Sequence, residues 1–391
     1  MEGLVGREML SSRVRAIKPS GIRKYFDIAA TMSDVISLGV GEPDFVTPEH
    51  IRQAGIRAIE RGETKYTSNY GTLELRSAIS ALLARRYGVT YDPASEVLVT
   101  VGVSEGIDAA LRALLDDGDE VLIPNPGYVA YEADVTLAGG IVVPVTTSVD
   151  DQFEVKAAAI EAALTPRSKV ILLGNPNNPT GAVIERAELE KIAELAVRRD
   201  LVVISDEVYS RLVYGDEHAC IAAMPGMRER TILADGFSKA YAMTGWRVGY
   251  VAASPHCLEA ILKVHQYAIM CAATMSQAAA LEAVLHGEGD VREMVASYDE
   301  RRRLIVAGLN SIGLTCYEPK GAFYAFPSVA ATGLTSDEFV DKLLTDEHVA
   351  VVPGSAFGEA GEGFIRCTYC TARDQLEEAI ERMGRFVRNY S

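Results

Sequence analysis

The chain has 391 residues, 48% of them hydrophobic and 24% charged, which is the composition of a globular protein with a sizeable core. Its net charge of −16 argues against nucleic acid and anionic membranes as partners, because both would repel such a surface on average. The N-terminal residues carry no apolar signal core, and no stretch approaches about 18 apolar residues, so we expect a cytoplasmic protein with no membrane partner.

The length and the cysteines narrow the organisation further. At about 150 residues per domain, the chain is predicted to form two or three units. Among its six cysteines only Cys367 and Cys370 form a CxxC, and neither a second pair nor histidines at ligand spacing accompany them. We therefore expect reduced thiols and no metal site.

The first candidate ligand-binding turn follows a short strand near the N-terminus. Residues 1–35 are predicted to form an arm and a helix, and ISLGVGEPDF then predicts a brief strand and a turn at Gly39 and Gly41. A helix is predicted to start at Pro48, after the capping residue Thr47. Glycine at Gly41 either lets the backbone approach a ligand or simply permits a tight turn.

A strand, a glycine turn and a helix follow further along the chain. EVLVTV predicts an apolar strand, Gly102, Val103 and Ser104 predict the turn, and apolar residues at helical spacing predict the helix. Free N–H groups at a helix start attract anions, although most such turns hold none. Tyr128 follows the next strand, where its ring could cover a flat ligand. Tyr66 lies in a polar loop, where tyrosines usually pack locally.

Two later loops carry polar residues at predicted strand ends. NPNNPTG is a rigid loop in which Asn178 either offers its amide to a ligand oxygen or forms an Asx turn. Asp206 comes directly after the apolar run LVVIS, at the carboxyl end of a predicted parallel strand, with Tyr209 three residues later. Ligands bind at that edge of open α/β sheets, so Asp206 is a candidate site residue; capping the next segment is the alternative.

The stretch TILADGFSKAYAMTGWRVGYVA carries the most specific chemistry. It predicts a strand from Thr231 to Ala234, a loop, and a second strand opened by Arg247. Lys239 and Ser238 lie in the loop, so an amine, a hydroxyl and a guanidinium converge. This trio suits a phosphorylated aldehyde, with the amine on the carbonyl carbon and the other two on the phosphate. The alternative is an ordinary surface loop with a solvated lysine.

The alternation of short apolar strands and helices ends near residue 285. It indicates an α/β fold with a mainly parallel sheet. After it, a long helix, three short strands (GAFYAFP, VAVVPGS and FIRCTYC) and a C-terminal helix predict a smaller α+β domain. Arg366 lies within the last of these strands, and most strand arginines occupy an exposed face.

Eight motifs in this order give the chain a family resemblance: LGVGEPDF, KYTSNYG, NPNNPTG, SDEVY, GFSKAYAMTGWRVGY, GAFYAFP, VAVVPGSAFG and FIRCTY. Together they resemble the fold-type I pyridoxal 5'-phosphate (PLP) aminotransferases of class I/II, over roughly Ser12 to Val387, and most of all the prokaryotic aspartate, aromatic and alanine aminotransferase branch. The resemblance implies a seven-stranded, mainly parallel sheet in a large PLP-binding domain (46–285). It also implies an N-terminal arm that contributes to the small domain (1–45) and a C-terminal small domain (286–391).

The resemblance also assigns roles to the residues around the cofactor ring. Lys239 matches the Schiff-base lysine, which anchors PLP and, once displaced by substrate, moves the proton between Cα and C4'. Asp206 matches the acid that pairs with the pyridine nitrogen. Tyr209 and Asn178 match the groups on the phenolic oxygen, and Tyr128 matches the aromatic residue that stacks on the ring.

The ends of the cofactor and the substrate are matched by further residues. The phosphate is expected to contact Gly102, Val103, Ser104, Ser238, Arg247 and Tyr66. The last of these matches a tyrosine of the neighbouring subunit, so the resemblance implies a homodimer with shared active sites. Arg366 matches the arginine that binds the substrate α-carboxylate, and Gly41 and Asn178 match its companions.

The implied activity is a ping-pong transfer of an amino group from an L-amino acid (aspartate, aromatic, alanine or similar) to a 2-oxo acid, with 2-oxoglutarate the expected acceptor. Aspartate-preferring members of the branch carry a lysine where this chain has Ser104, so a neutral donor is at least as good a candidate as aspartate. Phe357, Tyr70 and Ile22 are candidate pocket-lining residues. The alternatives are a PLP-dependent β-eliminating lyase, of the cystathionine or cysteine-conjugate type, and a non-enzymatic regulator on the same fold.

Overall fold

The computed structural model describes residues 9–17, 21, 32, 34–215 and 217–390. The strands in this part of the chain are β1 Ile36–Ser37, β2 Val97–Thr100, β3 Glu120–Asn125, β4 Ile141–Thr146, β5 Ser168–Gly174, β6 Val202–Asp206, β7 Thr231–Gly236, β8 Gly249–Ala252, β9 Tyr324–Ala325, β10 Val349–Ala350, β11 Val352–Pro353 and β12 Ile365–Thr368.

The same residues also form α-helices. They are α1 Ser12–Ala16, α2 Glu49–Glu60, α3 Leu73–Tyr87, α4 Gly102–Leu114, α5 Val129–Ala138, α6 Ala157–Ala163, α7 Arg186–Arg198, α8 Pro255–Ala268, α9 Thr274–His286, α10 Glu288–Ser311, α11 Ser336–Glu347 and α12 Arg373–Arg388. In the described residues, no helix is both long and apolar enough to cross a membrane.

Seven strands form the central sheet, in the order β2-β8-β7-β6-β5-β3-β4. The block from β7 to β4 is parallel, whereas β8 runs antiparallel to both of its neighbours. The prediction of a seven-stranded, mainly parallel sheet is therefore confirmed. In the register of the parallel block, Asp206 lies opposite Gly174 on one side and Ala234 on the other. This places the ends of three neighbouring strands at one edge.

Helices cover both faces of this sheet. Successive residues of β6 enter different cores: Val203 packs in a cluster that contains Ile192 of α7, and Ile204 packs in one that contains Ile107 of α4. Strands buried on both faces read as continuous apolar runs, which is why LVVIS shows no alternation of polar and apolar residues.

The rest of the chain builds two smaller sheets. β1 pairs in parallel with β10, and β11, β12 and β9 form an antiparallel sheet. The pairing of β1 with β10 joins the N-terminal segment to the C-terminal part, with Ile36 opposite Val349. We keep the division into 1–45, 46–285 and 286–391 as a proposal.

Two predicted boundaries were wrong. The helix predicted from Pro48 begins at Glu49, with Pro48 as the N-cap; the Thr47 hydroxyl instead donates to the Ala242 carbonyl oxygen at 2.5 Å. The strand predicted to open at Arg247 begins at Gly249. Arg247 has a left-handed backbone (φ 49°), which no regular strand accommodates.

Candidate active site

A cavity of about 330 Å³ lies at the carboxyl edge of the central sheet. Eleven of the thirteen predicted site residues line it: Gly41, Val103, Ser104, Tyr128, Asn178, Asp206, Tyr209, Ser238, Lys239, Arg247 and Arg366. The other two are Gly102, which lies against Arg247, and Tyr66, which is not among the lining residues. The fold thus brings residues from both halves of the chain into one cavity.

Lys239 lies three residues after the end of β7, and its side chain enters the cavity. Its Nζ donates a hydrogen bond to the Gly41 carbonyl oxygen at 2.7 Å. Removal of the ammonium group from water lowers the pKa of Lys239 to about 8. A minor but much increased fraction of the amine is then neutral near physiological pH, and the neutral amine is the form that attacks a carbonyl carbon.

Asp206 ends β6 and presents a buried carboxylate to the same cavity. It accepts hydrogen bonds from the Tyr131 hydroxyl at 2.8 Å and from the Val208 N–H at 3.1 Å. Burial outweighs these bonds and raises the pKa of Asp206 to about 6. A carboxylate that is costly to bury alone is well suited to pair with a cationic ring nitrogen.

Sequence reasoning missed Tyr131. Its position carries a signal, because it lies three residues after Tyr128 and therefore on a neighbouring part of the helix surface. The two rings meet edge to face, with centroids 5.4 Å apart. Tyr128, the N-cap of α5, and Tyr131 both line the cavity, and Tyr131 also donates to Asp206.

Arg366 is buried, so the expectation of an exposed strand face was wrong. It is only 2% exposed, and its guanidinium donates to Asn178 Oδ1 at 2.9 Å and to the Gly39 carbonyl oxygen at 2.7 Å. The rings of Tyr324 and Phe357 lie 4.5 and 4.8 Å from the guanidinium carbon.

The charge of Arg366 is incompletely compensated by the protein. Its Nε is buried without a hydrogen-bond partner among the described residues, and no carboxylate in that part of the chain forms an ion pair with it. A buried guanidinium without a counterion favours an incoming carboxylate, which it can bind through two parallel hydrogen bonds.

Tyr209 and Tyr324 form a buried pair of hydroxyl groups. Their oxygens are 2.7 Å apart. Tyr324 belongs to β9 and was not singled out from the sequence. GAFYAFP predicts a strand there, but not that the Tyr324 hydroxyl lies near a residue 115 positions away. Tyr324 also lines the cavity.

The opposite end of the cavity has the features of an anion site. Gly102 opens α4 with a left-handed backbone (φ 76°), and a Cβ built on it would lie 2.7 Å from Arg247 Nη2. Glycine therefore lets the guanidinium approach the start of the helix, where the N–H groups of Val103 and Ser104 lack intrahelical partners. Ser238 is buried beside this end. Guanidinium, hydroxyl and helix N–H groups are the donors that a phosphate group requires.

Three other candidates from the sequence either do not line the cavity or lie outside the described residues. The Tyr66 side chain is 80% exposed, which leaves it available to another chain. Tyr70 is half-buried but does not line the cavity. Ile22 lies outside the described residues.

The donor set suits an organic cofactor. Within the described part of the chain, no group of three His, Cys, Asp or Glu side chains could hold a metal ion. The cavity instead offers an amine, a buried acid, a stacking ring and two anion-binding ends, which together could hold a flat, phosphorylated aldehyde beside a carboxylate.

Comparisons with known proteins agree with this chemistry. Residues 33–383 match the family model described as aminotransferase class I and II. The aspartate aminotransferase of Pyrococcus abyssi is 47% identical, and the aromatic-amino-acid aminotransferase 2 of Thermococcus litoralis is 44% identical. Both alignments cover 97% of this chain and 98% of the relative.

A solved structure extends the similarity to three dimensions. The aromatic aminotransferase from Pyrococcus horikoshii superimposes with a TM-score of 0.90 at 45% identity, covering 94% of this chain and 99% of the other. Such identity over almost the full length leaves no doubt about common ancestry. The chain belongs to the class I and II aminotransferases.

Proposed function

We propose that this chain is a PLP-dependent aminotransferase that moves an amino group from an L-amino acid to a 2-oxo acid by ping-pong chemistry. One observation carries the proposal: the partly neutral Lys239 amine, the buried Asp206 carboxylate and the buried Arg366 guanidinium face one cavity. A solvated loop lysine would have neither a lowered pKa nor a buried acid opposite it.

The residues present fit PLP. When bound, PLP withdraws electrons from the substrate Cα, which makes its proton removable. Lys239 would anchor the cofactor and, once displaced by substrate, carry that proton between Cα and C4'. Asp206 would keep the pyridine nitrogen protonated. The Tyr131 hydroxyl and the Val208 N–H hold the Asp206 carboxylate in position for this.

The phenolic oxygen of PLP would face Tyr209 and Asn178. The Asn178 carbonyl oxygen already accepts a hydrogen bond from Arg366, so its NH₂ group is the part free to donate to the cofactor. Tyr128 would cover the ring. Gly102, Val103, Ser104, Ser238 and Arg247 would hold the phosphate.

Arg366 and the Gly41 backbone would bind the substrate α-carboxylate. This contact fixes the rotation of the substrate about the Cα–N bond and so selects which Cα bond is weakened. The relatives named above act, by their names, on aspartate and on aromatic amino acids. With Ser104 in place of a lysine, we propose that neutral donors are used at least as well as aspartate, with 2-oxoglutarate as acceptor.

A homodimer in the cytoplasm completes the proposal. The supporting feature is Tyr66, which is exposed and lies outside the cavity of its own chain. In a dimer with shared sites, its hydroxyl would reach the phosphate bound by the partner.

An absorbance titration tests the function. We expect the purified protein with PLP to show the visible band of bound cofactor, and the band to disappear when a donor amino acid is added without acceptor. Lys239→Ala should abolish both the covalent attachment and turnover. Lys263→Ala, which removes a lysine with a 66% exposed side chain, serves as the control. Wild-type turnover by Lys239→Ala would refute the proposal, and pyruvate and ammonia released without acceptor would favour the lyase.

A further inference from the structure

We propose that Tyr324 is a positioning residue with two separable roles: its ring holds the Arg366 guanidinium for the substrate carboxylate, and its hydroxyl orients the Tyr209 proton toward the phenolic oxygen of PLP. This inference rests on the proposed function. Tyr324 is close to Tyr209 and Arg366 in the fold but not in the sequence. Tyr209 lies 115 residues away, and Arg366 lies on another strand.

The hydroxyl role follows from counting protons. Each of the two tyrosine hydroxyls has a single proton. Burial raises the pKa of Tyr324 to about 12 and raises that of Tyr209 as well, so both remain neutral near pH 7. If Tyr209 donates its proton to the cofactor, the 2.7 Å contact requires Tyr324 to donate to Tyr209. In that arrangement Tyr324 is the donor and Tyr209 the acceptor, so the Tyr209 proton is left for the phenolic oxygen.

A donor behind Tyr209 also strengthens the bond in front of it. Hydrogen bonds in a chain polarise one another, especially in a buried site. Tyr209 would then draw more negative charge from the phenolic oxygen. With less negative charge, the phenolic oxygen would attract less strongly the proton that it shares with the Lys239 nitrogen. More of that nitrogen would therefore be unprotonated near neutral pH.

The ring role follows from strand geometry. Tyr324 on β9 pairs with Thr368 on the adjacent strand β12, which also carries Arg366. The guanidinium carbon lies over the Tyr324 ring at 4.5 Å and over the Phe357 ring at 4.8 Å. Ring faces attract a desolvated cation without neutralising it, so they can fix the guanidinium plane and leave its donors for a carboxylate.

A close contact limits where Tyr324 can move. A Cβ built on Gly41 would lie 2.3 Å from the Tyr324 hydroxyl oxygen. The backbone that accepts the Lys239 hydrogen bond therefore passes directly over this hydroxyl. Glycine at position 41 permits that approach, and the hydroxyl is confined between Gly41 and Tyr209.

Five variants of the PLP-loaded enzyme separate the two roles: Tyr324→Phe, Tyr324→Leu, Phe357→Leu, Tyr209→Phe and the double variant Tyr209→Phe/Tyr324→Phe. The first readout is the absorbance midpoint, which is the pH at which the pH-dependent change of the visible band is half complete. The second is the Kd, by absorbance titration, of the 2-methyl analogue of the best donor, which has no Cα proton to lose.

For Tyr324→Phe we expect the absorbance midpoint to rise by about 0.3 pH unit, because the Tyr209 hydrogen bond to the cofactor weakens by about a fifth. The Kd of the analogue should stay within about twofold of wild type. Tyr324→Leu should show this rise and also a Kd increase of about tenfold. Phe357→Leu, the matched control, should raise the Kd without moving the midpoint. In the Tyr209→Phe background, Tyr324→Phe should add no further midpoint change.

Three results would overturn the inference. An unmoved midpoint in Tyr324→Phe, or an equal change with and without Tyr209, would remove the hydroxyl role. Equal Kd values for Tyr324→Phe and Tyr324→Leu would remove the ring role. Failure of the proposed function would look different, because the wild-type protein itself would then show no visible band or no loss of the band with donors.

Discussion

Replacing Gly102 with alanine should expel Arg247 from the phosphate end of the site. The added Cβ would lie 2.7 Å from Arg247 Nη2 and 3.2 Å from its Cζ, distances at which the guanidinium must move. The left-handed backbone at Gly102 (φ 76°) adds a conformational cost of about 1 kcal/mol for any residue with a Cβ. Losing one charge-assisted hydrogen bond to phosphate costs about 2 kcal/mol, so we expect the Kd for PLP to rise about thirtyfold.

Gly88→Ala is the matched control. Gly88 also has a left-handed backbone (φ 70°), but a Cβ built there meets nothing within 4 Å. Both variants should lose about 1 kcal/mol of unfolding free energy in urea without PLP. Only Gly102→Ala should bind PLP more weakly, measured by fluorescence titration of the apoprotein. Kd values for PLP within threefold of each other in the two variants would refute the steric reasoning.

Three more predictions follow from the charges and exposure of the site. Because burial lowers the pKa of Lys239 to about 8, the labelling rate of the apoprotein at this residue by an aldehyde and cyanoborohydride should reach half its maximum near pH 8; a midpoint near 10.5 would contradict this. The folded-state pKa of Asp206, about 6, exceeds its ordinary 3.8, so the ionised acid destabilises the apoprotein above pH 6, and this cost disappears as the pH falls below about 4. Asp206→Asn should therefore stabilise the apoprotein at pH 8 by up to about 3 kcal/mol, lose that gain by pH 4, and abolish most turnover; equal urea midpoints at pH 8 would refute it. Tyr66→Phe should weaken PLP binding although the residue lies outside the cavity of its own chain, because its hydroxyl would contact the phosphate bound by the partner. A monomer in analytical ultracentrifugation would contradict this reasoning.

The sequence was sufficient to predict which residues meet at the sheet edge. Continuous apolar runs mark strands buried on both faces, and the parallel strands of the central sheet end together, so Asp206 and the segment before Lys239 had to lie close. The resemblance added the residues of more distant segments, Gly41 and Arg366. The structure places both in the cavity.

What could not be predicted depends on side-chain direction across distant segments. A local strand pattern cannot show that Asn178, Gly39 and two rings contact Arg366, because these four groups lie at separate positions outside its strand. Tyr131 and Tyr324 were missed for the same reason. Their hydrogen-bond partners lie 75 and 115 residues away, and strand or helix periodicity gives only the face on which each ring lies.

The site also explains how an acidic protein can bind anionic substrates. The net charge of −16 repels anions at long range, but that field is screened within about 10 Å at moderate salt. The cavity itself is lined by Lys239, Arg247 and Arg366 against Asp206 and the partly buried Asp134, whose pKa burial raises to about 7. Raised carboxyl pKa values reduce the negative charge of the lining near neutral pH. The burial that makes Asp206 costly in the apoprotein therefore also leaves the cavity positive. A bound phosphate and carboxylate would compensate Arg247 and Arg366, which form no ion pair with a carboxylate among the described residues.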